Sequence, residues 1–227
     1  DAREIAVRSG EADVLSIAAV SASGATQIPT LDALAPQEFS LNGGVVRWAL
    51  LDLEDLSFVR EVLGDETRFD FVERMAGGPD GLAVERLSLK ADDLFELDAT
   101  AELIAPPGGD AGSDADLEGL ALKSAQWLYK DRSFFTRVLA DAAGDEHPDA
   151  EAFQESLAAD LAILRETFES ERAKSVMGAI EAFVADPDEL KVVVAPEEPV
   201  LLASFAFALL LDPENAIEDF GLTLSAN

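Results

Sequence analysis

Cysteine is absent from the 227 residues of this chain, which excludes disulfides, thiol catalysis and cysteine-bound zinc. Histidine occurs once, as His147 between Glu146 and Pro148. A single imidazole builds neither a histidine metal site nor a His-Glu-x-x-His motif, and His147 is expected on an exposed loop at a helix start. Positive charge is scarce: 16 Lys and Arg, five of them Lys, stand against 46 Asp and Glu, for a net charge of −30. Phosphate backbones and anionic membrane surfaces call for clustered Lys and Arg, so nucleic acid and such surfaces are disfavoured partners. Two Trp and one Tyr give little aromatic surface for lining a glycan cleft. There is no apolar run of the length a membrane helix needs. Gly-x-Gly-x-x-Gly, the Walker loop, Gly-x-Ser-x-Gly and the N-x-Ser/Thr sequon are also missing. The chain begins at Asp1 rather than Met, the expectation for either a mature form or a trimmed chain, and whether a signal peptide or anchor preceded Asp1 is not legible in it.

What is present is an apolar content of 48%, enough for a sizeable core. The acidic, Lys-poor surface repels itself at low ionic strength and is relieved by screening, which suits salty surroundings. Period-two alternation marks strands. Ile5 and Val7, then Val14 to Val20, read as two short strands joined at Ser9-Gly10-Glu11. Phe39 to Leu41 runs into Asn42-Gly43-Gly44, a turn signal, and Val45 to Leu53 reads as the strand that follows. Leu82 to Leu89 is another strand. The clearest has Phe95, Leu97, Ala99, Ala101 and Leu103 alternating with Glu96, Asp98, Thr100 and Glu102, a sheet with one wet face. Leu117 to Leu128, Glu189 to Val194 and Leu222 to Ser225 complete the set. Ser21 to Pro36 and Pro106 to Asp116 read as loops.

Helical spacing governs the rest. A helix capped by Asp52 or Asp55 is expected to run to Leu63, and a second to carry Phe69, Phe71, Val72 and Met75 up to Gly77-Gly78-Pro79. Phe153, Leu157, Leu161, Leu164 and Phe168 form one stripe, extended by Val176, Ile180 and Phe183. This predicts a single long helix from Pro148 to Ala185, stopped by Asp186-Pro187, with Gly178 as a candidate kink. Val200 to Leu211 is apolar except for Ser204 and reads as a buried helix, about 18 Å long and too short to span a bilayer. Asp212 to Phe220 is a short capped helix closed by Gly221. Asp55-Leu-Ser57-Phe58 and Asp131-Arg-Ser133-Phe134 each follow a Trp-bearing strand, 76 positions apart, and suggest a weak internal repeat.

Blocks of strands followed by blocks of helices predict an α+β fold: a mostly antiparallel, twisted sheet packed against a long helix and a buried apolar helix. One domain over 1–227 is expected, the alternative being two duplicated strand–helix units at 1–80 and 81–227. Asp114-x-Asp116-x-Glu118 resembles the opening of a calcium loop, but the twelfth position is Ala125 instead of a bidentate Glu, so the EF-hand pattern fails. Asp114, Asp116 and Glu118 are thus at most a loose surface calcium site, and no other cofactor is expected. Among 46 acids, pairs such as Glu54/Asp55, Asp92/Asp93 and Glu197/Glu198 do not single out the facing carboxylates that a glycosidase requires.

The C-terminal run is distinctive: Phe183-Val-Ala-Asp186-Pro187, Leu190-Lys-Val-Val-Val, Ala195-Pro-Glu-Glu-Pro199-Val200, Asp212-Pro213 and Phe220-Gly221-Leu222-Thr-Leu224-Ser-Ala226-Asn227. Over about the last 50 residues it resembles uncharacterised exported proteins of alphaproteobacteria. The resemblance implies a cleavable signal and a periplasmic or secreted location, and transfers no catalytic residues.

The expected function is that of a non-enzymatic periplasmic protein. Its apolar sheet face and helices would hold a hydrophobic, lipid-like molecule lined by Phe95, Leu97, Phe153, Leu157, Leu164, Phe205 and Phe207, against the simpler reading that these residues are ordinary core. The alternatives are an envelope scaffold that binds other proteins through an exposed strand edge, and a hydrolase using acidic residues with calcium.

Overall fold

In the computed structural model, the described residues are 2–9, 12–23, 37–48, 57–78, 81–104, 120–143, 149–201, 204, 208 and 211–227. Alternation builds the first hairpin: β1 (Ala2–Ser9) and β2 (Ala12–Ser23) pair antiparallel, with Ile5 opposite Ile17 and Val7 opposite Leu15. The meander continues through β3 (Gln37–Arg47), β4 (Glu66–Gly78), β5 (Gly81–Ala91), β6 (Phe95–Ile104) and β7 (Ala121–Asp131). It then passes to β8 (Glu189–Val194) and β10 (Thr223–Ala226), while the two-residue β9 (Val200–Leu201) pairs with β7 beyond the end of β8. All ten described strands form one open sheet and every pairing is antiparallel.

Five complete helices are described: α1 (Ser57–Leu63), α2 (Phe134–Ala143), α3 (Ala150–Arg165), α4 (Glu171–Ala185) and α5 (Pro213–Asp219). Asp149, Ser170 and Asp212 cap α3, α4 and α5, each accepting a backbone N–H two or three residues into the helix. Gly221, at φ +56°, closes α5; a Cβ there would meet the Ala195 carbonyl oxygen at 2.2 Å.

The core lies between the C-terminal half of the sheet and two helices. Leu82, Leu103, Leu122, Ala125 and Val194 from the strands meet Ala173 and Val176 of α4 and Ala216, Ile217 and Phe220 of α5. Burying each Leu or Val there contributes about 2 kcal/mol.

Four expectations from the sequence are corrected. The span Pro148–Ala185 is two antiparallel helices. The Glu166 N–H and Thr167 hydroxyl satisfy the last carbonyls of α3, while α5 reaches in so that Glu214 accepts the Glu169 and Ser170 N–H groups. Arg165–Glu181 at 2.7 Å and the Gln154 amide on the Val184 carbonyl tie the pair together, and α4 runs unbroken through Gly178. The expected helix over Phe69–Met75 is strand β4, where ladders to β3 and β5 on both sides outweigh local helical spacing. Asn42-Gly43-Gly44 does not reverse the chain. It is a bulge inside β3, with Gly43 at φ +63° donating its N–H to Asp70, and Gly44 lying so near the Phe69 ring that a Cβ would fall 2.5 Å from it. The strand then ends at Arg47. Finally, Val200–Leu211 is not one buried helix: Val200 and Leu201 are strand, Ser204, Ala208 and Leu211 are helical, and Leu211 is 82% exposed. The rest of that segment lies outside the described residues.

Candidate functional site

Pairing registers define the sheet face that meets the helices. On β4 and β5 it carries Phe69, Phe71, Glu73, Met75, Val84, Leu87, Leu89 and Ala91. On β6 and β7 it carries Phe95, Leu97, Ala99, Ala101, Leu103, Leu122, Ala125, Trp127 and Tyr129, and on β8 Leu190, Val192 and Val194. The period of two makes this face mostly apolar from β4 to β8, with Glu73 and Asp131 as its acids. It is not evenly covered.

Over the C-terminal half, α4 and α5 seal it, and Leu122, Ala125 and Val194 are buried. An aromatic cluster closes the end nearest α2. Phe95 lies 5.9 Å from Tyr129 and 5.3 Å from Phe134, while Phe183 of α4 meets Tyr129 at 5.8 Å and Phe135 at 5.1 Å. Asp131, buried at the end of β7, accepts the Tyr129 hydroxyl at 2.7 Å and the Phe135 N–H of α2 at 2.8 Å. Burial, then the hydrogen bond and charge of Asp131, push the Tyr129 hydroxyl well above its ordinary pKa of 10.0.

Over the N-terminal half the same face is partly open. Leu41, Phe71, Leu87, Leu89 and Leu97 are half-buried and Phe39 is 36% exposed, its ring 6.2 Å from that of Phe71. Glu73 stands among them, half-buried, directly opposite Phe39 on β3 and Leu87 on β5. Gln37, opposite Met75, is the other polar residue of this patch.

Of the expected lining residues, Phe95 and Leu97 lie on this face, Phe95 inside the closed aromatic end and Leu97 between Leu89 and Tyr129. Phe153 and Leu157 are half-buried on α3, and Leu164 is 46% exposed. Phe205 and Phe207 lie outside the described residues, as do Asp114, Asp116, Glu118 and His147. Phe71 and Glu73 were missed as site residues because β4 reads as a helix, and Phe39, although read as extended, was not brought opposite them. Their signal was Phe69-x-Phe71 continued to Met75, interrupted only by the acid.

Among the described residues no three Asp, Glu or His side chains gather as metal ligands, and no helix is long and apolar enough to cross a membrane. A hollow of about 600 Å³ at the β5–β6 turn is lined by Lys90, Asp92, Asp93, Glu96, Arg132 and Arg137. Its bases are already engaged: Arg132 and Lys90 face Glu96 at 3.5 and 3.9 Å, and Arg137 donates to the Val62 carbonyl. On α1, Glu61 shares a hydrogen bond with Asp141 of α2, and this contact and the like charge raise its pKa above 4.5.

Fold and site together define an α+β protein built on a wide, open antiparallel sheet. The chain belongs to a family described as "Uncharacterized protein", whose model matches residues 82–227, from β5 to the C-terminus. No curated protein and no solved structure matches it.

Proposed function

We propose that the protein is non-enzymatic and holds a hydrophobic, lipid-like molecule against the open half of its sheet. The observation that carries this reading is the contrast on one continuous face. The registers that bury Leu122 and Val194 under helices leave Phe39, Leu41, Phe71, Leu87 and Leu89 partly exposed. Neighbouring apolar side chains left partly exposed on one sheet face offer a surface to an apolar partner. The test is mass spectrometry of organic extracts from protein purified without detergent. A stoichiometric apolar molecule, reduced by Leu89→Asp, is expected; extracts empty of such molecules, together with no uptake of an added fluorescent acyl probe, would reject the proposal.

The C-terminal resemblance to exported alphaproteobacterial proteins supports a periplasmic or secreted location, which fractionation of the source cells tests. A second reading, a protein-interaction module of the envelope, draws on β1: it is a sheet edge with Ile5 and Val7 40% and 53% exposed. Light scattering over a concentration series and pull-down from envelope extract test it. We also infer that α1 and α2 descend from a duplicated strand–helix unit. The two helices pack together, with Arg137 of α2 donating to Val62 of α1 at 3.2 Å.

A further inference from the structure

Glu73 occupies a position where the pattern of the sheet calls for an apolar residue. Its strand neighbours on the same face are Phe71 and Met75, and its cross-strand neighbours are Phe39 and Leu87. Other acids of β4 and β5 have basic or backbone partners: Glu66 is paired with Arg68 and Arg47, Glu85 with Arg74, and Asp70 accepts the Gly43 N–H. Among the described residues Glu73 has no ion pair and no hydrogen bond. Asp131, the other carboxylate on this face, is capped by a tyrosine hydroxyl and a backbone N–H. A carboxylate set among aromatic and aliphatic side chains with no donor of its own leaves its oxygens for a charge-assisted hydrogen bond from a ligand. Gln37 lies diagonally across the β3–β4 pair, roughly 7 to 8 Å away in such a register, within reach of the same head group.

We propose that Glu73 is the recognition point for a cationic head group, so that the ligand of the open face is an amphiphile with an apolar body and one ammonium-type centre. Phe39 and Phe71 flank the carboxylate, and aromatic faces also attract cations. The inference rests on the apolar-ligand reading of the same face and adds the charge of the ligand to it.

The test compares decylammonium, decyl maltoside and decanoate, below their micelle-forming concentrations, by calorimetric titration. About 1 M NaCl, where the Debye length is ~3 Å, suppresses attraction to the net charge of −30. Glu73→Gln is compared with Glu38→Gln, the adjacent exposed acid on the other face of β3, after melting curves establish that both fold. The expected result is one-to-one binding of decylammonium about tenfold tighter than decanoate, with the preference lost in Glu73→Gln and kept in Glu38→Gln. Equal binding of all three amphiphiles, or a preference unchanged in Glu73→Gln, overturns the role of Glu73 while leaving the apolar site standing. Failure of all three to bind overturns both.

Discussion

The two halves of the sheet share one face pattern and differ in what lies over it. On β6, β7 and β8 the registers of Leu103, Leu122, Ala125 and Val194 are buried beneath α4 and α5, and Asp131 at the end of β7 is buried with two hydrogen-bond donors. On β3, β4 and β5 the registers of Phe39, Leu41, Phe71, Leu87 and Leu89 stay partly open, while Ile17, Leu82 and Ala91 of the same face are buried, and Glu73 has no partner among the described residues. Leu41, Phe71, Leu87 and Leu89 lie outside the core cluster that holds Leu122 and Val194, and Glu73 among them makes no hydrogen bond or ion pair with the described residues.

Mutation can break this contrast. The largest effect is expected from Leu122→Ala, which leaves a cavity beneath α4 and α5 and should cost about 3 kcal/mol; Leu89→Ala on the open half should cost about 1 kcal/mol. Urea denaturation of the two variants measures the difference, and equal costs would mean that the halves are equally packed. Asp131→Ala strands the Tyr129 hydroxyl and the Phe135 N–H and uncaps α2, an expected loss of about 2 kcal/mol, whereas Glu73→Ala should stay within about 0.5 kcal/mol of wild type.

The pH dependence sharpens the same contrast. Tyr129 stays protonated in the folded protein at pH values where the unfolded chain has already lost its proton, so the stability tied to it is whole below pH 10.0 and is lost as the pH rises beyond that. Thermal melts should therefore fall more steeply above that pH in wild type than in Tyr129→Phe. The smallest effect is expected at Glu61, whose raised pKa reflects its contact with Asp141. Any stability from that contact is present below pH 4.5 and is lost as the pH rises, so Glu61→Gln should melt slightly higher than wild type at neutral pH and no higher at pH 4.

Where one rule governs, the sequence is legible. β5, β6, β7 and β8, the cap Asp212 and the Gly221 stop are all readable because alternation or cap chemistry acts alone. The α+β class and the antiparallel sheet follow from the same signals. Misreadings arise where a distant contact decides. The α3–α4 break depends on Glu214, more than 40 residues away, accepting the Ser170 N–H. The Gly43-Gly44 bulge depends on the ring of Phe69 and the carboxylate of Asp70. β4 was hidden by Glu73 itself: an acid at the third apolar register of Phe69, Phe71 and Met75 breaks the period of two and leaves Phe69, Val72 and Met75 spaced as on a helix. The residue that obscured the strand is the one proposed to recognise the ligand, and a site that violates the folding pattern is where function is expected.

The most direct test of the open face is methyl NMR with a spin-labelled decylammonium derivative. The account predicts that the methyl signals of Leu41, Leu87, Leu89 and Leu97 broaden while those of Leu122 and Val194 stay sharp. Broadening confined to other residues, or none at saturating label, would contradict it.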